Sequence, residues 1–160
     1  MSLFTDSGSV FINGHTPQHC TYRELKGLNL LTEKIFAIVR PEVDRCISEY
    51  FYIREYRPEL SGLCKDFDTF LDRFLDIRNL LVLDYHNLPN REFLVDGDGV
   101  VDPRVEIIDF YDIPRIESFL GVSGLSDFHM MKSSKPKDFL LTDEQLRRIT
   151  DYFNDHGHKP

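Results

Sequence analysis

Tryptophan is absent from the chain, and cysteine and methionine are sparse, three of each in 160 residues. Cys20, Cys46 and Cys64 are odd in number and show no C-x-x-C spacing. That argues against a disulfide framework and a zinc ribbon, and points to a reducing compartment. No apolar run approaches the roughly 20 residues a membrane span needs. The opening MSLFTDSGSV has neither a cationic start nor a long apolar stretch, so no signal peptide is expected and the expected location is cytoplasmic. Positive charge is also short. Nineteen Lys and Arg stand against 27 Asp and Glu, a net charge of −8, and no half of the chain is basic. A general binder of nucleic acid or of an anionic membrane is therefore not expected.

What is present is a good supply of core-forming residues. Hydrophobic residues make up 41%, with 13 Phe and 7 Tyr, so the composition is that of a folding chain. The length suits one domain, residues 1–160. No repeat, low-complexity tract or Gly/Ser/Pro-rich linker divides it. The same length is short for a complete α/β enzyme that binds a nucleotide.

Apolar patterning predicts an alternation of strands and helices. Ser9-Val10-Phe11-Ile12 reads as a strand ending at the turn signal Asn13-Gly14-His15. A weak helix is predicted from Tyr22 to Leu31, broken near Gly27. KIFAIV, residues 34–39, reads as a strand buried on both faces. Arg40-Pro41 ends it, and Pro41 suits the first turn of a helix running to about Tyr56. Phe67, Phe70, Leu71, Phe74 and Leu75 form one apolar stripe of a helix capped by Asp66. Residues 80–83, LLVL, are of ambiguous type. Glu92 to Val95 reads as a strand running into a tight turn at Asp96-Gly97-Asp98-Gly99. Val105 to Phe110 is another strand. Asp112 caps a short helix stopped by Gly121. Thr142 and Gln145 form a capping box, with Leu146, Ile149 and Phe153 as the buried stripe, and Asp155 to Pro160 as a frayed end. Such alternation predicts an α/β fold with an at least partly parallel sheet.

The sharpest chemical feature is the strand followed by Arg40, Arg45 and Ser48. The C-terminal edge of strands is where open α/β sheets place ligands. Arg45 and Ser48 are three apart and share a helix face. A guanidinium and a hydroxyl near a helix start suit a phosphate. The plain alternative is an arginine paired with a carboxylate and a serine facing water. His15, just past a strand and a glycine, could act as a general base, or could simply be solvated. His15 and His19 are four apart, but Pro17 disturbs any helical metal pair. Asp96-x-Asp98-Gly-x-x-Asp102 lacks the closing glutamate of a calcium loop and reads as a hairpin turn. Cys46 reads as packing. No metal site is expected.

Taken in order, these segments resemble the sulfotransferase superfamily, most nearly its carbohydrate branch related to heparan-sulfate 2-O-sulfotransferases. The likeness covers the chain from about residue 9. It rests on strand–Gly14–His15, FAIV-Arg40-x7-Ser48, His86-Asn87-Leu88-Pro89-Asn90-x-x-Phe93-Leu94, VEIIDFYDI with a helix ending in FLG, and Ser133-Ser134-Lys135 before a last helix. The resemblance implies a P-loop-type three-layer α/β fold with a mainly parallel sheet. It implies that Arg40 and Ser48, with Arg45, hold the 3′-phosphate of the sulfate donor 3′-phosphoadenosine 5′-phosphosulfate (PAPS). It implies His15 as the base, and His86 and Asn90 beside a carbohydrate acceptor. Arg40-Pro41-Glu42 departs locally from the family's Arg-Asp-Pro. Nothing before Ser9 resembles the family's first strand, phosphate loop and helix, which carry a lysine for the leaving phosphate. The expectation is thus a sulfotransferase-like protein lacking that unit, with a second copy or a partner chain covering the missing strand. The alternative is a non-catalytic relative that binds a glycan or a 3′-phosphorylated nucleotide, or serves as an assembly subunit.

Overall fold

Ile35 to Val39 is a short run of apolar, mostly β-branched residues, and it forms β1 (Ile35–Val39) of the computed structural model, which describes residues 20–31, 35–79, 83, 85–127, 136 and 138–157. β1 pairs in parallel with β2 (Val105–Asp109), with Ile35 opposite Val105 and Val39 opposite Asp109. The ladder closes with Phe110 N–H donating to the Val39 carbonyl at 2.8 Å. Parallel neighbours need a long crossover. Here that crossover is mostly helical, so the described residues form a mixed α/β structure around a two-stranded parallel sheet. The predicted strand over 9–12, Gly14-His15 and Ser133–Lys135 lie outside the described residues, as does most of the ambiguous 80–83 run.

The helices follow their sequence signals closely. α1 (Tyr22–Gly27) starts at a capping box in which Thr21 and Glu24 exchange hydrogen bonds, and it ends before Asn29, whose φ of 56° is left-handed. α2 (Glu42–Tyr56) begins directly after Pro41 and buries Cys46, Ile47, Tyr50, Phe51 and Ile53. A 3₁₀ turn (Pro58–Leu63) leads to α3 (Phe67–Phe74), where the Asp66 carboxylate accepts from Thr69 N–H at 2.7 Å. α5 (Ile113–Leu120) is capped by Asp112 and stopped by Gly121 at φ 66°, a conformation that glycine adopts without steric cost. α6 (Asp143–Gly157) opens with the predicted box: Gln145 N–H donates to Thr142 Oγ1 at 3.2 Å, and Thr142 N–H to Gln145 Oε1 at 3.0 Å.

α2, α3 and α6 pack into one core built on aromatic rings. Phe70, Phe74 and Ile149 are fully buried, and Tyr50 sits edge-on to Phe67 with ring centroids 5.0 Å apart. Such offset and edge contacts suit the ring quadrupoles and add to simple area burial.

The structure departs from the sequence reading at four places. Glu92 to Val95 is not a strand. α4 (Asn90–Leu94) occupies it, and only Val95 bridges to Val101, in antiparallel fashion, across the Asp96–Gly99 turn. Pro89 fixes the helical entry there, and Asn90 is tied to α2, so tertiary anchoring overrides a weak local pattern. β1 is not buried on both faces. Ile38 is 43% exposed, on a face of the sheet that the packed elements leave partly uncovered. Leu146 lies largely outside the α6 stripe, and Tyr152 is buried beside Ile149 and Phe153 instead. Asp155 to Gly157 continue α6 rather than fraying, and His156 Nδ1 meets the Tyr152 carbonyl at 2.8 Å. No described helix is long and apolar enough to cross a membrane.

Cys20, Cys46 and Cys64 are buried. Burial pushes the Cys64 thiol up to about 11 and moves the Cys46 thiol further in the same direction. The thiolate is the reactive form, so burial leaves Cys46 and Cys64 as unreactive thiols at pH 8. In a Cys20→Ser variant, maleimide should label the native protein slowly and label the urea-unfolded protein fast. Equal rates would show that α2 and the segment after it open readily.

Candidate functional site

The chain leaves β1 at Arg40 and turns at once into α2, which puts the strand end, the start of α2 and the segment before α4 around one cleft of about 920 Å³. Arg40, Arg45, Ser48, His86 and Asn90 all line it, so every predicted site residue that is described faces the same space. His15 lies outside the described residues. Apolar residues of α1, β1 and α4 line the rest of the cleft. A mainly apolar wall with a few convergent polar groups is the usual make-up of a small-molecule site.

Arg40 is half-buried, and its guanidinium lies over the Phe110 ring, 5.0 Å from the centroid. Its main-chain carbonyl accepts from Asn90 Nδ2 at 2.8 Å, and Asn90 N–H donates to Glu42 Oε1 at 2.8 Å. These two bonds clamp α4 to the junction of β1 and α2. Asn90 therefore holds the strand end in place as well as lining the cleft. The Arg40 Nε is buried and has no hydrogen-bond partner among the described residues. Buried donors are nearly always paired, so an orphan at a cleft wall marks a place for an acceptor.

Arg45 has a different setting. Its guanidinium donates to the Leu88 carbonyl and rests on the Phe153 ring of α6, 5.4 Å from the centroid. Burial pushes its pKa down, with Glu42 among the charges that oppose the shift. Its Nε also lacks a partner among the described residues. Arg45 thus joins α2 to α6 and to the segment that carries His86, while still reaching the cleft. Ser48 follows one turn on from Arg45, half-buried on the cleft side.

Sequence reasoning missed three lining residues, Glu49, Tyr52 and Arg57. Glu49 is four residues from Arg45, so helical spacing alone would have placed it on the same face. Its carboxylate is buried against His86 Nδ1, a pairing across 37 residues that no local signal announces. The charged lining is three arginines, 40, 45 and 57, against the single Glu49, so the cleft is locally cationic in a chain of net charge −8. Arg57 also pairs with Glu59 outside the cleft. Among the described residues, no group of three or more His, Cys, Asp or Glu is placed to hold a metal ion.

Chemically, the cleft can grip an oxyanion at the Arg40 end and exchange a proton at His86. No family model matches the chain, and neither a curated protein nor a solved structure does so.

Proposed function

We propose that the cleft binds the 3′-phosphate of PAPS and that the chain is a sulfotransferase-superfamily protein acting on a carbohydrate hydroxyl. The observation that carries this reading is the buried, unpartnered Arg40 Nε at the C-terminal end of β1, with Ser48 lining the same cleft. A phosphate oxygen supplies a further acceptor for the Arg40 guanidinium, which otherwise meets the Tyr111 hydroxyl. Stacking of Arg40 on Phe110 fixes the guanidinium plane before a ligand arrives, which lowers the ordering cost of binding. Arg45 and Arg57 add long-range attraction for an anion.

When bound, the donor supplies a sulfuryl group and a phosphate leaving group. The chain's own residues hold the donor's distal phosphate and present a base to the acceptor hydroxyl. In this reading the fold is the three-layer P-loop type. The open edge of β1 then takes a further strand, from elsewhere in the chain, from a second copy or from a partner.

Calorimetry with 3′-phosphoadenosine 5′-phosphate (PAP) tests the proposal. The native chain should bind it at micromolar to low-millimolar concentration. Arg40→Ala should weaken binding at least tenfold, on the scale of one charge-assisted hydrogen bond. No binding at millimolar nucleotide would remove the donor site and leave a glycan-binding or assembly role.

A further inference from the structure

Arg40 is held by two residues that do not themselves line the cleft. Phe110 and Tyr111 follow β2 directly and reach the cleft only through Arg40. Their backbone is fixed. Phe110 N–H donates to the Val39 carbonyl at 2.8 Å, and Tyr111 N–H donates to Asp109 Oδ1 at 2.8 Å. The two rings meet edge-on with centroids 5.3 Å apart, and the Arg40 guanidinium lies over the Phe110 ring. The Tyr111 hydroxyl meets that guanidinium and donates to Asp44 Oδ2 at 2.8 Å, in the first turn of α2.

The order guanidinium, phenol, carboxylate has a chemical consequence. Arginine carries donors only, so Arg40 donates to the phenol oxygen while the phenol O–H donates to Asp44. Burial and the Asp44 contact push the Tyr111 pKa up, with Arg40 opposing, so the hydroxyl keeps its proton at neutral pH. Among the described residues Arg40 is in no ion pair, and the nearby Asp44 takes its hydrogen bond from Tyr111 instead. A direct pair with Asp44 would occupy the guanidinium fork and offset its charge. A phenol between the two orients the guanidinium and leaves its charge for a ligand, and the buried Nε remains without a partner.

We infer that Tyr111 is a positioning residue for the anion site: its hydroxyl separates Arg40 from Asp44, so the guanidinium meets a phosphate of the ligand and not a carboxylate of the chain. The inference rests on the donor reading above. Phe110 is 40% and Tyr111 57% exposed, so a change at Tyr111 leaves the core alone.

Calorimetry with PAP on the full chain tests this, with a urea titration of each variant as the check on folding. Tyr111→Phe should keep the wild-type urea midpoint and bind PAP about threefold to tenfold more weakly, the scale of one hydrogen bond. Adding Asp44→Asn to Tyr111→Phe should bring Kd back to within about twofold of wild type, because the charge that competes for Arg40 is gone. Asp44→Asn alone should shift Kd by less than about twofold, so that the gain belongs to the pair. Removing a charge on α2 would not rescue a tyrosine needed only for packing. Tyr111→Phe binding as well as wild type would overturn the inference. So would a loss that Asp44→Asn fails to recover, or an equal gain from Asp44→Asn in both backgrounds. In each of those cases wild type still binds PAP, and the donor site stands. Wild type that binds no PAP removes the donor site and the role of Tyr111 with it.

Discussion

Replacing Phe70 with alanine should lower the free energy of unfolding by about 3–5 kcal/mol, a large share of the roughly 5–15 kcal/mol that holds a typical domain together. Phe70 is fully buried at the centre of the α2–α3–α6 core. Its ring meets Phe74 at 5.0 Å, Tyr50 at 5.4 Å and Phe67 at 5.8 Å between centroids. Truncation removes the transfer energy of the ring and leaves a cavity walled by stiff aromatics, which collapse poorly. The site therefore belongs at the costly end of the range. In urea, with a slope near 1–3 kcal/mol per molar, the midpoint should fall by at least about 1 M. Leu140, 84% exposed, is the matched control, and its alanine variant should stay within about 0.5 kcal/mol of the parent. Comparable losses at both positions would mean that the core is not where the aromatic cluster lies.

That core was readable in advance because its signals are local. The Phe67–Leu75 stripe, the Asp66 cap and the Thr142–Gln145 box each specify an element within one or two turns of chain. The Arg40–Ser48 unit was legible for the same reason, since a strand end followed by a helix fixes eight residues of relative geometry. Legibility stopped where placement depended on distant partners. Residues 92–95 are too few to show a period, and a one-turn helix won through Pro89 and the Asn90–Glu42 bond. β1 was read as doubly buried from its composition, but burial depends on neighbours that a strand's own sequence does not contain. The Glu49–His86 pair needed α2 and the segment before α4 brought together, which only the fold does.

Asn87 shows how far one such distant contact reaches, and Asn87→Asp should be among the most damaging single-atom-scale changes in the chain. The side chain is fully buried, and its amide caps the C-terminal end of α3 by donating to the Phe74 and Asp76 carbonyls. The Phe74 carbonyl is one of the orphan acceptors that every helix end leaves behind. An ionised carboxylate offers no donor, so the Phe74 carbonyl loses its Asn87 donor, the Asp76 carbonyl keeps Asn79 N–H, and a negative charge is buried against both. The lost Phe74 partner costs about 1–3 kcal/mol, and the buried unpaired charge adds to that, for a total of about 3–5 kcal/mol at pH 7. The sign of the pH dependence follows. Burial beside two carbonyls raises the folded-state pKa of the new carboxyl above its unfolded value near 4. The folded variant then binds the proton more tightly than the unfolded chain does. The variant's deficit relative to wild type should therefore be smallest below pH 4 and should grow as pH rises through the raised pKa. Parallel urea titrations of wild type and variant at pH 4 and pH 7 measure the difference directly. A deficit that is flat across that range, or absent at pH 7, would mean that Asn87 does not carry the cap.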